Sequence, residues 1–149
     1  MSLILTPEQA EQIEREGMEA YPNECCGAML GRDFVVPSGT TRRVLKLKKL
    51  TNSFSAEERY HRFSLDAREL MQLEKEAGEL KLMVLGFYHS HPDAPARPSE
   101  YDRQHAWPFY SYAIVSIEKG KAKDLTSWQL DEATEQFKAE QVQTERTGT

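Results

Sequence analysis

Hydrophobic residues near the start of the chain recur at helical spacing and predict a helix from Thr6 to Ala20. Thr6 is a suitable N-cap, Pro7 suits the first turn, and Gln9 completes a capping-box pattern. The apolar positions of this segment form a narrow stripe that can be buried on one side; they are Ala10, Ile13, Gly17 or Met18, and Tyr21.

Two further helices are predicted nearer the middle of the chain. Asp66 can cap a helix from Ala67 to Ala77, which buries Leu70, Met71, Leu73 and Ala77 and stops at Gly78. A short helix is predicted from Ser99 to Ala106, after a loop that prolines keep extended.

Short apolar runs between these helices predict strands. They cover Glu24–Gly31, Phe34–Val36, Val44–Leu50, Leu82–Tyr88, Tyr110–Ile117 and Asp124–Leu130. Arg32-Asp33 is predicted as a tight turn, and residues 52–62 as a polar loop. The mixture of elements without a strict alternation favours a single α/β domain in which helices pack on a mixed sheet.

Apolar content falls after Asp131, so we assign the domain to residues 1–131 and expect residues 132–149 to hold one last short strand or helix and a frayed tail. The composition is that of an ordinary globular protein, with 39% hydrophobic and 29% charged residues over 149 positions. The N-terminal residues lack the features of a secretory signal and no apolar run is long enough for a membrane span, so a cytoplasmic location without membrane contact is expected.

Charge and cysteine content narrow the classes of function. A net charge of -5 argues against nucleic-acid binding through a broad cationic surface. The two cysteines, Cys25 and Cys26, are adjacent, and neighbouring cysteines rarely form a disulfide with each other. We expect both to be buried hydrophobic side chains.

The segment that follows the central strand carries the candidate chemistry. His89 and His91 are two residues apart at the end of an extended segment, so their imidazoles point to the same face and can reach one point in space. Asp102, at the start of the short helix, can turn back toward them as a third ligand. Two imidazoles and a carboxylate suit zinc, and three protein ligands leave a fourth position for water, which is typical of catalytic sites.

Each part of this pattern also has a structural explanation. Ser99-x-x-Asp102 is a capping-box pattern that can simply begin a helix. Glu24 alone is an ordinary polar residue at the start of a strand. His61 and His105 are expected to be structural or solvated rather than ligands, although either can lie near the site.

In combination, these residues resemble the JAMM metalloprotease motif of the JAB/MPN domain family, in its small prokaryotic form. The motif comprises an upstream glutamate, here Glu24, then His-x-His-Pro, then Ser-x-x-Asp, with ten residues between the second histidine and the aspartate. Here His91 and Asp102 have the same separation (102 − 91 − 1 = 10). Neighbouring residues also resemble the family: Pro22-x-Glu24 followed by Cys-Gly, and Gly86-Phe87-Tyr88 before the histidines.

The resemblance implies roles for five residues and a fold. His89, His91 and Asp102 would bind Zn²⁺, Glu24 would be the general acid/base, and Ser99 would stabilise the tetrahedral oxyanion. The implied fold is a curved mixed sheet flanked by helices, similar to that of the cytidine deaminases. The deaminase reaction is excluded because its His-x-Glu and Pro-Cys-x-x-Cys signature is absent from the sequence.

The implied activity is that of a zinc peptidase or isopeptidase that cleaves after the C-terminal Gly-Gly of a ubiquitin-like or sulfur-carrier protein. Two alternatives stay open at this point. One is a non-catalytic MPN scaffold, although scaffolds of this family typically lose metal ligands. The other is a mononuclear iron oxygenase, which also uses two histidines and a carboxylate. Whether the protein forms a homodimer is left open.

Overall fold

Three helices and seven strands make up the part of the chain that the computed structural model describes, residues 1–37, 39–50 and 66–146. Their bounds, in chain order, are β1 Ser2–Leu5, α1 Pro7–Ala20, β2 Cys26–Val36, β3 Gly39–Lys49, α2 Ala67–Glu79, β4 Met83–Pro92, α3 Glu100–His105, β5 Ser111–Glu118, β6 Lys121–Asp131 and β7 Gln136–Thr144. The predicted loop over 52–62, and His61 within it, lie outside these ranges.

The strands form one closed barrel in the order β1-β3-β2-β4-β5-β6-β7. β1 runs parallel to both β3 and β7, and β4 runs parallel to β5, whereas the other neighbours are antiparallel. The predicted mixed α/β sheet with flanking helices is therefore confirmed, and its curvature continues until the sheet closes on itself. Within the described residues, no helix is long and apolar enough to span a membrane.

Side chains of the central strands alternate between two hydrophobic clusters. On one face, Tyr88 and Met29 pack with α1 around Ile13. On the other face, Phe87 packs against the buried stripe of α2. That stripe comprises Leu70, Leu73 and Ala77, as predicted, whereas Met71 is 72% exposed.

The helix starts follow the capping chemistry of the sequence. At α1, the Thr6 hydroxyl accepts a hydrogen bond from the Gln9 amide at 3.1 Å, and the Gln9 side chain accepts one from the Thr6 amide at 2.9 Å. At α2, Asp66 and Glu69 make the same reciprocal pair. The predicted stop at Gly78 is wrong by a small margin, because α2 continues through Gly78 to Glu79.

The predicted turn at Arg32-Asp33 is wrong. β2 continues unbroken to Val36, because these residues pair with Arg43 and Arg42 in the ladder between β2 and β3. The outer half of β2 is largely exposed and therefore lacks the apolar alternation of a half-buried strand. β3 is correspondingly longer than predicted and begins at Gly39.

The structure adds to the predictions at three other strands, β1, β4 and β7. β1 was absent from the predicted elements, because a four-residue strand offers too little pattern. β4 extends to Pro92, so His89 and His91 lie inside the strand rather than after it. The last predicted element is the strand β7, which pairs with β6 and with β1 and closes the barrel.

Candidate metal centre

The two histidines lie at the carboxyl end of β4, on the face shared with Phe87 and α2. His89 is 1% exposed and His91 is 6% exposed. Their Nε2 atoms are 3.1 Å apart. The alternation of the strand therefore brings both ring nitrogens to one point, as the spacing in the sequence predicts.

Asp102 approaches the same point from the first turn of α3. Its Oδ2 is 3.0 Å from His91 Nε2, and its Oδ1 is 3.4 Å from His89 Nε2. Asp102 is 9% exposed, so all three side chains are withdrawn from solvent. Among the described residues, these are the side chains that bring three candidate ligand atoms within 4.8 Å of one another.

The spacing of these atoms fits a tetrahedral metal. Ligand atoms about 2.0–2.1 Å from a tetrahedral ion lie about 3.3–3.4 Å from each other. Here the two Nε2 atoms are 3.1 Å apart, Asp102 Oδ2 is 3.0 Å from His91 Nε2, and the other oxygen, Oδ1, is 3.4 Å from His89 Nε2. His89, His91 and Asp102 can therefore hold a zinc-sized cation with little movement.

The hydrogen bond at the other ring nitrogen of His91 supports this fit. Its Nδ1 is 2.9 Å from the carbonyl oxygen of Pro95, and because a carbonyl can only accept, Nδ1 must carry a proton. In a neutral ring, Nε2 then presents a lone pair toward the carboxylate of Asp102. Two acceptors in contact need a proton or a cation between them, and metal-binding histidines commonly donate their second nitrogen in this way.

The pKa values of the two carboxyl groups of the site, Asp102 and Glu24, are shifted in opposite directions. Burial opposes ionisation of Asp102, but the charges and hydrogen bonds of His89 and His91 outweigh it and hold the pKa of Asp102 well below its usual range. In contrast, burial raises the pKa of Glu24 to about 9, and the negative charge of Asp102 adds to that rise. One carboxylate is thus kept ionised and the other is kept protonated in the metal-free protein.

Glu24 lies two residues before β2, which is the neighbour of the histidine strand in the barrel. The ladder sets Cys26 opposite His89, and the Cys25 carbonyl accepts a hydrogen bond from the Ser90 amide at 3.2 Å. Continued by one more residue, this register brings Glu24 level with His91. Glu24 is 6% exposed, and its Oε1 has no hydrogen-bond partner among the described residues.

A cavity of about 180 Å³ adjoins Glu24 on the side of α1 and β3. Its walls include carboxylates, a lysine, both cysteines and apolar side chains, namely Glu16, Glu19, Ala20, Cys25, Cys26, Lys49 and Leu50. Glu24 therefore borders open space on this side, and none of the three candidate metal ligands lines that cavity.

Ser99 is exposed and is the N-cap of α3. Its hydroxyl accepts a hydrogen bond from the Asp102 amide at 3.1 Å, and its own amide donates to Asp102 Oδ2 at 2.8 Å. The capping box predicted for Ser99-x-x-Asp102 is therefore present. Because the hydroxyl oxygen acts as an acceptor here, its proton can still be donated elsewhere.

The remaining residues considered in the sequence are not members of the ligand cluster, within the part of the chain that the structure describes. His105 is exposed, and its ring stacks on Tyr101 with centroids 3.9 Å apart. Cys25 and Cys26 are buried and belong to the two opposite hydrophobic clusters. Burial raises the pKa of Cys25 to about 11 and that of Cys26 to about 12, so neither thiol is a ready nucleophile near neutral pH.

A family model described as prokaryotic homologs of the JAB domain matches residues 6–131. The chain belongs to the JAB family. It is 34% identical over 104 residues to a protein named desampylase from Haloferax volcanii, covering 68% of this chain and 69% of that relative. It is 32% identical over 133 residues to a desampylase from Pyrococcus furiosus, covering 88% of this chain and 84% of that relative.

Solved structures support the JAB fold over nearly the whole chain. A solution structure of a protein from Desulfitobacterium hafniense has a TM-score of 0.77 at 30% identity and covers 98% of this chain and 94% of its own. A crystal structure of a JAB1/MPN domain protein from Archaeoglobus fulgidus has a TM-score of 0.55, with 96% and 99% coverage. At 17% identity, the latter comparison concerns the fold alone.

The JAB motif does not identify two residues that the structure brings to the site. Ser90 lies between the histidines but faces the opposite side, where its Oγ accepts a hydrogen bond from the Cys25 amide at 2.8 Å and so fixes the segment next to Glu24. Pro95 contributes only its carbonyl, to His91. The role of a backbone carbonyl cannot be identified from residue types. The alternation of side chains along β4, in contrast, could have assigned Ser90 to the opposite face.

Proposed function

We propose that this JAB-family chain is a zinc-dependent isopeptidase or peptidase that hydrolyses an amide bond after the C-terminal Gly-Gly of a ubiquitin-like or sulfur-carrier protein. The observation that carries the proposal is the convergence of His89, His91 and Asp102 within 4.8 Å, beside a buried Glu24 carboxyl with an unpartnered oxygen. Two relatives named desampylase, at 34% and 32% identity, support the reaction class and the partner.

His89, His91 and Asp102 would hold the zinc ion. When bound, zinc supplies Lewis acidity toward the amide carbonyl and toward water, and its positive charge favours the ionised form of a nearby carboxylate. Among the chain's own groups, Pro95 fixes the ring of His91, and the first turn of α3 fixes the carboxylate of Asp102.

Glu24 would carry the protons of the reaction. Hydrolysis requires a proton to leave water and a proton to reach the departing amine, and one carboxylate can perform both transfers in turn. The side chain suits this role because Oε1 is buried without a partner among the described residues and the strand register brings Glu24 level with His91. The Cys25–Ser90 hydrogen bonds limit the movement of its backbone.

Ser99 would donate a hydrogen bond from its hydroxyl group to the oxyanion that forms on the carbonyl oxygen. Such a bond is stronger in the transition state than in the ground state, and removal of one comparable donor typically costs about 10²–10³ in kcat. The capping role of Ser99 sets the direction of the side chain, because the accepted bond from the Asp102 amide fixes the position of Oγ.

The direct test is the intact mass of a Gly-Gly-tailed carrier protein extended by a short peptide or isopeptide-linked lysine. Incubation with zinc-loaded protein is expected to remove the extension after Gly-Gly, and removal of zinc by a chelator is expected to stop the reaction. An unchanged mass with zinc bound would contradict cleavage of this substrate and would favour the non-catalytic scaffold. Full activity after complete removal of metal would rule out the zinc mechanism.

A further inference from the structure

A single exposed aspartate connects three segments around the candidate metal centre. Asp93 follows β4 directly, and its carboxylate accepts a hydrogen bond from the Tyr21 hydroxyl at 2.5 Å and from the Lys119 amide at 2.7 Å. Its own amide donates to the Ile117 carbonyl at 2.6 Å. Asp93 has a φ of 51°, a left-handed conformation in which aspartate and asparagine are tolerated better than most residues.

The loop that Asp93 begins determines the orientation of His91. Two residues further on, the Pro95 carbonyl accepts from His91 Nδ1 at 2.9 Å and from the Arg97 amide at 2.8 Å. The far side of the loop is fixed to β6, where the Thr126 hydroxyl donates to the Ala96 carbonyl at 2.6 Å. Asp93 therefore fixes the near end of the loop whose carbonyl selects the His91 tautomer.

Tyr21 extends this connection to the other half of the site. It is the C-cap residue of α1 and lies three positions before Glu24. Its hydroxyl contacts the loop that follows the histidines, so the hydrogen bond joins the segment that carries Glu24 to the segment that orients His91. A shift of either segment would change the distance between the acid/base and the metal ligands.

We propose that Asp93 and Tyr21 are positioning residues of the metal centre: together they fix the Pro95 carbonyl against His91 and align the Glu24 segment with it. The role of this alignment in catalysis rests on the proposed function, whereas the orientation of His91 can be measured in the metal-free protein. Neither residue touches the reacting atoms in this scheme. Removal of a group that hydrogen-bonds directly to a metal ligand typically costs about 10- to 100-fold in metal affinity or activity, and this sets the upper range for residues that hold such a group in place.

The test compares zinc affinity, measured by chelator competition, in Asp93→Ala, Tyr21→Phe and Tyr110→Phe. Tyr110 provides a matched control, because its hydroxyl also donates to an exposed carboxylate at 2.5 Å, that of Glu74, away from the histidines. We expect zinc affinity to fall by up to about 10- to 100-fold in Asp93→Ala and by a smaller factor in Tyr21→Phe, which keeps the Lys119 contact of Asp93. Tyr110→Phe should stay within twofold of wild type.

A second measurement needs neither zinc nor substrate. The ¹⁵N chemical shift of His91 Nδ1 reports whether that nitrogen donates a hydrogen bond, and the metal-free wild type is expected to show a preference for Nδ1 as a donor. Asp93→Ala should lose that preference. Asp93→Asn should retain it, because an asparagine amide can accept from the Lys119 amide and donate to the Tyr21 oxygen while tolerating the left-handed conformation.

Two results would overturn the inference. One is that Asp93→Ala and Tyr21→Phe both keep the zinc affinity and the His91 shifts of the wild type. The other is that Tyr110→Phe loses as much zinc affinity as they do. Failure of the proposed function gives a different result. If the wild-type protein binds zinc but cleaves no carrier, the proposed hydrolase activity is contradicted. The comparison of zinc affinities among the variants still holds in that case. If Asp93→Ala does not fold, Tyr21→Phe and the His91 shifts still decide the matter.

Discussion

Ser99 and Asp102 cap each other across the first turn of α3, each accepting a hydrogen bond from the other's backbone amide. The same two side chains are the candidate oxyanion donor and the candidate third metal ligand. Local helix formation thus orients both groups before any metal or substrate is present. Stability and activity are consequently coupled at these positions, and experiments on them must separate the two effects.

Replacement of Ser99 by alanine tests this coupling. We expect a loss of about 0.5–2 kcal/mol in the free energy of unfolding from the missing cap, together with a fall of about 10²–10³ in kcat if the hydroxyl stabilises the oxyanion. Asp66→Ala is the matched control, because Asp66 caps α2 by the same pattern. It should lose similar stability and retain kcat. Equal activity losses in the two variants would attribute the effect of Ser99 to folding alone.

The Glu24→Gln variant removes the acid/base while preserving the shape of the side chain. Turnover is expected to fall about 10²–10⁴-fold, the usual contribution of general acid/base catalysis, whereas zinc content by elemental analysis should be unchanged. Glu11→Gln, the same change on the exposed face of α1, serves as the control. Full activity of Glu24→Gln would be incompatible with the proposed role.

Burial of Glu24 also predicts a pH dependence of stability in the metal-free protein. Its pKa rises from the ordinary 4.5 to about 9 on folding, so between these values the unfolded chain releases a proton that the folded chain retains. Stability from this group is therefore fully present below about pH 4.5 and is lost as the pH rises toward 9. The loss is at most about 1.4 kcal/mol per pH unit.

Urea unfolding at pH 5 and pH 8, in chelator, measures this dependence. The free energy of unfolding of the wild type should fall with rising pH relative to that of Glu24→Gln, which has no proton to lose. Other titrating groups are shared by the two proteins and cancel in the difference. A constant difference between pH 5 and pH 8 would mean that Glu24 is ionised in the folded, metal-free state.

Asp102→Ala should abolish tight zinc binding, since only two histidines of the set remain. Ligand binding stabilises the folded state in proportion to the logarithm of ligand concentration over Kd, so zinc should raise the Tm of the wild type and leave that of Asp102→Ala unchanged. Glu69→Ala removes the equivalent carboxylate from the capping box of α2 and should keep its zinc response. A normal zinc-dependent Tm shift in Asp102→Ala would exclude it as a ligand.

Gly86 marks a close approach of β4 and β5 ahead of the histidines. A Cβ there would lie 1.8 Å from the Ser111 carbonyl oxygen, which is backbone and cannot move aside. Gly86→Ala should therefore cost at least about 1–3 kcal/mol, as overpacked cores do. Gly78→Ala, in α2 with nothing within 4 Å of its added methyl group, should gain about 0.5–1 kcal/mol. Thermal unfolding of both variants checks this contrast.

The parts of the fold that local chemistry determines were predictable from the sequence. Thr6 and Gln9 identify the start of α1, and the positions of Leu70 and Leu73 identify the buried face of α2. The convergence of His89 and His91 follows from strand alternation, and the mutual capping of Ser99 and Asp102 follows from their places at the start of α3. Each of these depends on residues close together in the sequence.

Features that depend on distant pairing were not predictable in this way. Arg32 and Asp33 read as a turn because they are polar and exposed, but their pairing with β3 keeps them in a strand. β1 has too few residues for a pattern, and its place is determined by two neighbours from distant parts of the chain. The supports of the site, including the Pro95 carbonyl and Asp93, depend on how a loop folds back onto β4.

The pairing of β1 with β7 has a consequence for how the molecule forms. Ser2 lies opposite Gln141, so closure of the barrel joins segments from almost opposite ends of the sequence. Contacts with such long sequence separation slow folding, because the entropy of a large loop must be lost before they form. During synthesis, the edge of β1 that pairs with β7 therefore stays without that partner until residues 136–144 have been made, and an unpaired strand edge is a site at which chains can aggregate.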